Sequence, residues 1–164
     1  MFDADRGGAR VAVVAMAAVA VVATVLAAFG VAKLSSHDES SSLHSSVLTA
    51  ARQIALDFAV YDYRHIDRDF ARVAGESTGK FRSDYVSQSA GVRELIIKAK
   101  AVSRAEISGE GLVDASPSHA SVVIAIDRVV TNTSAPKGQR DAFGLQIELV
   151  KQRGKWLATG VKPL

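Results

Sequence analysis

Tyr61-Asp62-Tyr63-Arg64-His65-Ile66-Asp67-Arg68-Asp69 is the run in this 164-residue chain whose side chains come nearest to chemistry. A carboxylate beside tyrosines and a histidine can do general acid–base work when an apolar pocket encloses it. In that reading Asp62 or His65 is the group that moves the proton. A structural reading competes. Tyr61 continues an apolar helical stripe, and Asp62 and Asp67 suit helix ends. Arg64, Arg68 and Arg72, four apart beside Asp67 and Asp69, form a solvated ion-pair surface worth little per pair. The structural reading is preferred: Tyr61-Asp62-Tyr63 is read as a structural motif, and no catalytic residue is assigned.

Other chemistry is thin. His37 and His44 are seven apart in a serine tract, without the oriented second shell that a metal site needs. They read as solvated, and no metal or cofactor is expected. His119, next to Pro117-Ser118, reads as a turn residue, and Trp156 as a core anchor. There is no cysteine, which excludes a disulfide framework, a thiolate metal site and a Cys nucleophile. No phosphate loop, H-E-x-x-H, G-x-S-x-G or dinucleotide glycine fingerprint occurs. The formal charge of +3 is small and its signs are interspersed, so no nucleic-acid footprint is present.

The stretch that positions everything else is Val11–Ala32, VAVVAMAAVAVVATVLAAFGVA, 22 residues without a charge. At ~1.5 Å per residue it reaches roughly 33 Å as a helix, enough to cross a ~30 Å hydrocarbon core. Inside lipid every peptide group must pair within the segment, which dictates a helix. Arg6 and Arg10 before it, against Lys33 after it, bias the N-terminus to the cytoplasm. A cleaved signal peptide is the competitor, with Gly30-Val31-Ala32 as cleavage site, but its apolar region is usually ~7–15 residues. The reading is therefore a tail (1–10), a transmembrane helix (11–32), a flexible serine-rich linker (33–46) and one extracytoplasmic domain (47–164).

Within that domain Val47, Ala51, Ile54, Phe58 and Tyr61 alternate spacings of four and three, which predicts an amphipathic helix. Ile66, Phe70 and Val73 share a face of a short second helix that Asp67 can cap. Phe81, Tyr85, Gln88, Val92, Leu95 and Ala99 mark a long third helix with one core-facing side. Gly91 in its middle costs ~1 kcal/mol of propensity and marks a kink or a close packing contact. After Lys100 the period drops to two. Val102–Ala115 is a strand with a bulge or bend at Gly109 and Gly111. Ala120, Val122, Ile124 and Ile126 alternate with more polar neighbours, as do Phe143, Leu145, Ile147 and Leu149. Arg153-Gly154 turns into a last strand, Lys155–Val161. Three helices followed by about four antiparallel strands is an α+β order, with the helices on one face of a curved sheet.

At this point the residues resemble a family. Ala55, Phe58 and Ala59, Tyr61-Asp62-Tyr63, Asp67-Arg68-Asp69-Phe70, Thr78-Gly79-Lys80-Phe81 with Tyr85, and Gly154-Lys155-Trp156 follow a lone span in the order seen in actinobacterial mammalian-cell-entry (Mce)-associated membrane proteins. The resemblance implies a nuclear-transport-factor-2-like cone, laid out like the bitopic scaffold subunit of type IV secretion systems. It further implies an accessory role beside Mce-type lipid import machinery, in contact with membrane lipid and other envelope proteins. The expected function is a non-catalytic assembly or stabilising subunit. The alternatives are a lipid-binding module, whose apolar cavity Phe58, Tyr61, Phe81 and Tyr85 would line, a secretion-type scaffold, and an enzyme built on Asp62 or His65.

Overall fold

Residues 40–164 are described by the computed structural model. The predicted tail, the membrane span and the linker up to residue 39 lie outside these residues. Among the described residues no helix is long and apolar enough to cross a membrane. The chain divides into two units, Met1–Ser42 and Leu43–Leu164, and the fold is that of the second.

Helix α1 occupies residues 40–59. The predicted linker therefore ends earlier than Ser46, and residues 40–46 are already helical. The cause is local. Leu43 extends the apolar stripe one turn back from Val47 and packs on the core. The Ser46 hydroxyl bonds back to the Leu43 carbonyl at 2.8 Å, so a serine-rich turn satisfies itself. Strand β1 (Tyr61–Asp62), helix α2 (Ile66–Gly75) and helix α3 (Gly79–Ala99) follow. His65, not Asp67, sits at the N-cap of α2; Asp67 lies in the first turn, where its charge suits the helix dipole.

Four long strands complete the domain: β2 (Val102–Ala115), β3 (His119–Thr131), β4 (Gln139–Gln152) and β5 (Lys155–Pro163). They form one antiparallel meander in the order β1-β2-β3-β4-β5, five strands where about four were expected. The extra strand is β1, two residues paired as Tyr61↔Ser103 and Asp62↔Val102, too short to show a period. Register shifts between Ile107 and Gly109, and between Leu112 and Asp114, put two bulges in β2. Beyond Ser103 no described strand pairs with the outer edge of β2. The β5 edge is fastened at Ala158, whose N–H donates to the Glu76 carbonyl at 2.8 Å and whose carbonyl accepts from Thr78 N–H at 2.9 Å. Arg153 and Gly154 both take positive φ (51° and 81°), the combination that a two-residue hairpin between right-twisted strands requires.

Alternation decides the core. Val122, Ile124 and Ile126 of β3, and Leu145, Ile147 and Leu149 of β4, are buried against Val47, Ala51, Ile54 and Ala55 of α1. Each such aliphatic side chain contributes about 1.5–3 kcal/mol by leaving water. Trp156 joins this cluster, and its indole N–H donates to the Ser46 hydroxyl at 3.2 Å. A second, smaller cluster gathers Ile66, Ile96 and Ala101 under Tyr61, Tyr63 and Phe70. Helix α3 departs from expectation. Of its 21 residues only Ile96 is buried. On the side predicted to face the core, Val92 and Leu95 are 48% and 67% exposed. A Cβ on Gly91 would meet nothing within 4 Å, so this glycine marks no packing contact.

Candidate binding cleft

The open side of α3 forms one wall of a cleft of about 460 Å³. Phe58 from the end of α1, Tyr61 from β1, Phe70 from α2, Val161 from β5, and Phe81, Tyr85 and Val92 from α3 line it. Tyr85 is the hub. Its ring centroid lies 6.2 Å from Phe58, 6.0 Å from Phe70 in an edge-on contact, and 6.2 Å from Phe81. Such contacts hold aromatic rings in fixed orientations and add to the burial of their area. Burial and the nearby Asp69 carboxylate push the Tyr85 phenol up to about 12, so it stays a neutral hydroxyl. Asp84, Gln88 and Ser89 add polar groups along the α3 wall, and Lys80 pairs with Asp84 at 2.6 Å. The volume falls in the ~300–1,000 Å³ range of small-molecule pockets. Phe58, Tyr61, Phe81 and Tyr85, distant in sequence, thus meet around one space. Sequence reasoning left out Phe70, because a single phenylalanine on a short helix does not announce which side of it is open.

The Tyr61-Asp62-Tyr63 motif anchors the chain where α1 gives way to the sheet. Tyr63 N–H donates to the Ala101 carbonyl at 3.0 Å, and the Ser103 hydroxyl, buried, donates to the Ala59 carbonyl at 2.7 Å. The Asp62 carboxylate is taken by Arg64, from its backbone N–H at 2.9 Å and its Nε at 2.9 Å. Those donors hold Asp62 down to about 2, which makes it a poor proton acceptor near neutrality. His65 is exposed. Asp69 is the buried member, 3% exposed, and receives the Asp62 backbone N–H at 2.9 Å. Arg68 and Arg72 reach Asp69 at 3.3 and 3.2 Å. Arg72 also donates to Asp57 of α1 at 3.0 Å. Asp69 and Arg72 are an i,i+3 pair that spacing can suggest, but the reach of Arg72 to Asp57 crosses from α2 to α1 and is invisible to spacing arguments.

A second groove, of about 450 Å³, runs between α1 and Trp156, with Gln53 and Glu76 on its walls. A third, of about 480 Å³, lies on β2–β4, where Arg104, Arg128 and Arg140 alternate with Glu106, Asp127 and Asp141. Mixed signs at such spacing give no single-sign field. Among the described residues no group of three or more His, Cys, Asp or Glu is placed to hold a metal ion.

The fold has solved counterparts. An IcmL-like type IV secretion system protein from Legionella pneumophila superposes with a TM-score of 0.63 at 13% identity, covering 73% of this chain and 91% of that one. A periplasmic fragment of TraM gives 0.61 at 11% identity over 73% and 96%. At these identities the likeness is one of fold: three helices on a curled antiparallel five-stranded half-barrel, nuclear-transport-factor-2-like as expected. In sequence, the chain is 24% identical over 156 residues to "Uncharacterized protein Rv1363c" of Mycobacterium tuberculosis. That match covers 93% of this chain and 60% of the relative's length. A mycobacterial relative agrees with the actinobacterial side of the resemblance. The profile of the family described as "Uncharacterized protein Rv1363c/MT1408-like" matches residues 9–162, and the chain belongs to that family.

Proposed function

We propose that this protein is a non-catalytic accessory subunit that holds together a protein complex of the cell envelope. In this reading 11–32 is a single transmembrane helix in the inner membrane, the N-terminus is cytoplasmic, and the α+β domain is extracytoplasmic. One observation carries the proposal: α3 leaves an apolar side, Val92 and Leu95, open beside an aromatic cleft. A soluble helix of this length normally buries such a side against its own domain. Exposed apolar area next to a preformed cleft is the physical mark of a protein–protein docking surface. The fold it shares with a type IV secretion system protein supports a scaffold role. The finer assignment, to Mce-type lipid import machinery, rests on the motif resemblance alone.

The test is site-specific photo-crosslinking in native envelopes, with the photoreactive residue at position 92 of the full chain. Adducts with one envelope transport or secretion component, lost on introducing Leu95→Lys, are the expected result. Recovery of uncrosslinked protein alone overturns the proposal.

The dimensions of the cleft favour a second reading, an amphipathic lipid held between Phe58, Phe81 and Tyr85. Lipid co-purifying with the wild type but not with Phe81→Asp would support it. Identical lipid content in both would end it.

A further inference from the structure

Helix α3 carries one stripe that its own domain does not cover. Asp84, Gln88, Gly91, Leu95 and Lys98 follow spacings of four, three, four and three, so they run along one line of the helix. Leu95 is 67% exposed, and Gln88, Gly91 and Lys98 are exposed with it. A Cβ on Gly91 would meet no atom within 4 Å, so the backbone lies bare at the middle of the stripe. The two ends carry opposite charges. Asp84 is held by Lys80 at 2.6 Å, with its side chain 45% exposed, and a carboxylate has lone pairs for further donors. Lys98 takes part in none of the ion pairs among the described residues. The stripe is also symmetric about its centre: Gly91 lies seven residues after Asp84 and seven before Lys98. A twofold axis at Gly91 therefore sets Asp84 of each copy against Lys98 of the other. An isologous interface requires this self-complementarity. A parallel pair would set Asp84 against Asp84 and Lys98 against Lys98.

We propose that this stripe docks on the same stripe of a second copy of the chain, antiparallel, with Gly91 at the crossing and an Asp84–Lys98 ion pair at each end. The inference rests on the reading of α3 as a docking helix, and names what sits on Leu95. It leaves Val92 and the cleft open to another envelope component, since Leu95 and Lys98 stand outside the cleft walls. Each part of the stripe has a task. The bare backbone at Gly91 lets two helices approach without a side chain between them. Leu95 of one copy leaves water against the Gln88 stem of the other. The end charges contribute little to affinity as surface pairs, but their signs fix the antiparallel direction. A seam of one helix is small beside the ~800 Å² per partner of a standard interface, so this dimer dissociates on dilution.

The test uses the purified full chain in detergent, which has no cysteine of its own. Asp84→Cys and Lys98→Cys copies are mixed and oxidised with copper phenanthroline. Across an antiparallel seam these two positions meet, within the short Cα separation a disulfide needs. Each lies roughly 21 Å along the helix from its own counterpart, at ~1.5 Å per residue. The mixture should form linked dimer at least tenfold faster than either variant alone. Sedimentation velocity over a concentration series then reads the charges in cysteine-free chains. Asp84→Lys or Lys98→Asp should each weaken self-association by about tenfold, and the two together in one chain should restore it. Faster linkage of either cysteine variant with itself, a wild type that stays monomeric across the series, or a double reversal no better than the single ones overturns the proposal. The result is separable from the envelope crosslinks, because no other component is present and Val92 and Leu95 are unchanged.

Discussion

Asp69 separates two roles that one carboxylate plays, and a pair of substitutions tells them apart. It accepts the Asp62 backbone N–H at 2.9 Å and draws Arg68 and Arg72 to 3.3 and 3.2 Å. Orphaning a largely buried backbone donor costs about 1–3 kcal/mol. The arginine side chains are 64% and 38% exposed, so each pair contributes no more than ~1 kcal/mol. Asp69→Ala removes all of this and should destabilise the domain by about 3 kcal/mol. Asp69→Asn keeps an oxygen for the Asp62 N–H and should recover at least half of the loss. The assay is urea unfolding followed by fluorescence of Trp156, the single tryptophan and 8% exposed. With a urea m-value near 2 kcal/mol/M, the alanine variant should unfold ~1.5 M earlier. If Asn and Ala are equally damaging, the charge matters and the backbone anchor does not, and the account of β1 given above is wrong.

Gly91→Ala should stabilise the domain by up to ~1 kcal/mol, since the new methyl meets open space on a helix; a thermal melt that falls instead would mean α3 is packed there. Gly154→Ala should destabilise by about 1 kcal/mol, because its φ of 81° suits glycine, and the same melt reads it. Asp62 is held down by Arg64, so its contribution is present above its ordinary value of 3.8 and disappears as pH falls towards about 2. Carboxyl-carbon NMR should find the Asp62 midpoint near 2 in the wild type and higher, but still below 3.8, in Arg64→Ala, whose backbone N–H goes on donating to the carboxylate. Leu95→Lys should leave unfolding within ~0.5 kcal/mol of the wild type, as a change at an exposed site, while abolishing any crosslinked partner.

The strands were readable because a half-buried sheet writes its register as alternation. Ile124 against Ala125 and Ile147 against Gln146 leave no second choice of face. Helix α3 shows the limit of the same logic. Phe81, Tyr85, Gln88, Val92 and Leu95 do lie along one side, but periodicity reports only that a helix has an apolar side. It does not report what covers that side, and here Phe81 and Tyr85 reach neighbours while Leu95 faces solvent. Strand β1 was unreadable because two residues carry no period. Its pairing is set by Ser103 and Ala101, some forty residues on. Asp69, which receives the Asp62 backbone N–H, looked in the sequence like one more surface charge. The meeting of Asp57 with Arg72 depends on how α2 lies against α1, which no local spacing encodes.

The outer border of β2 has its own consequence. A straight strand with free amides is a template on which further chains can add, and crowding makes that addition faster. Here the backbone shifts register twice within a few residues, and Arg52 of α1 clamps Glu110 across the top. An incoming strand could match only a short stretch before losing step. The unpaired residues of those two shifts, Ser108 and Val113, thereby work against edge-to-edge addition of further copies along this border.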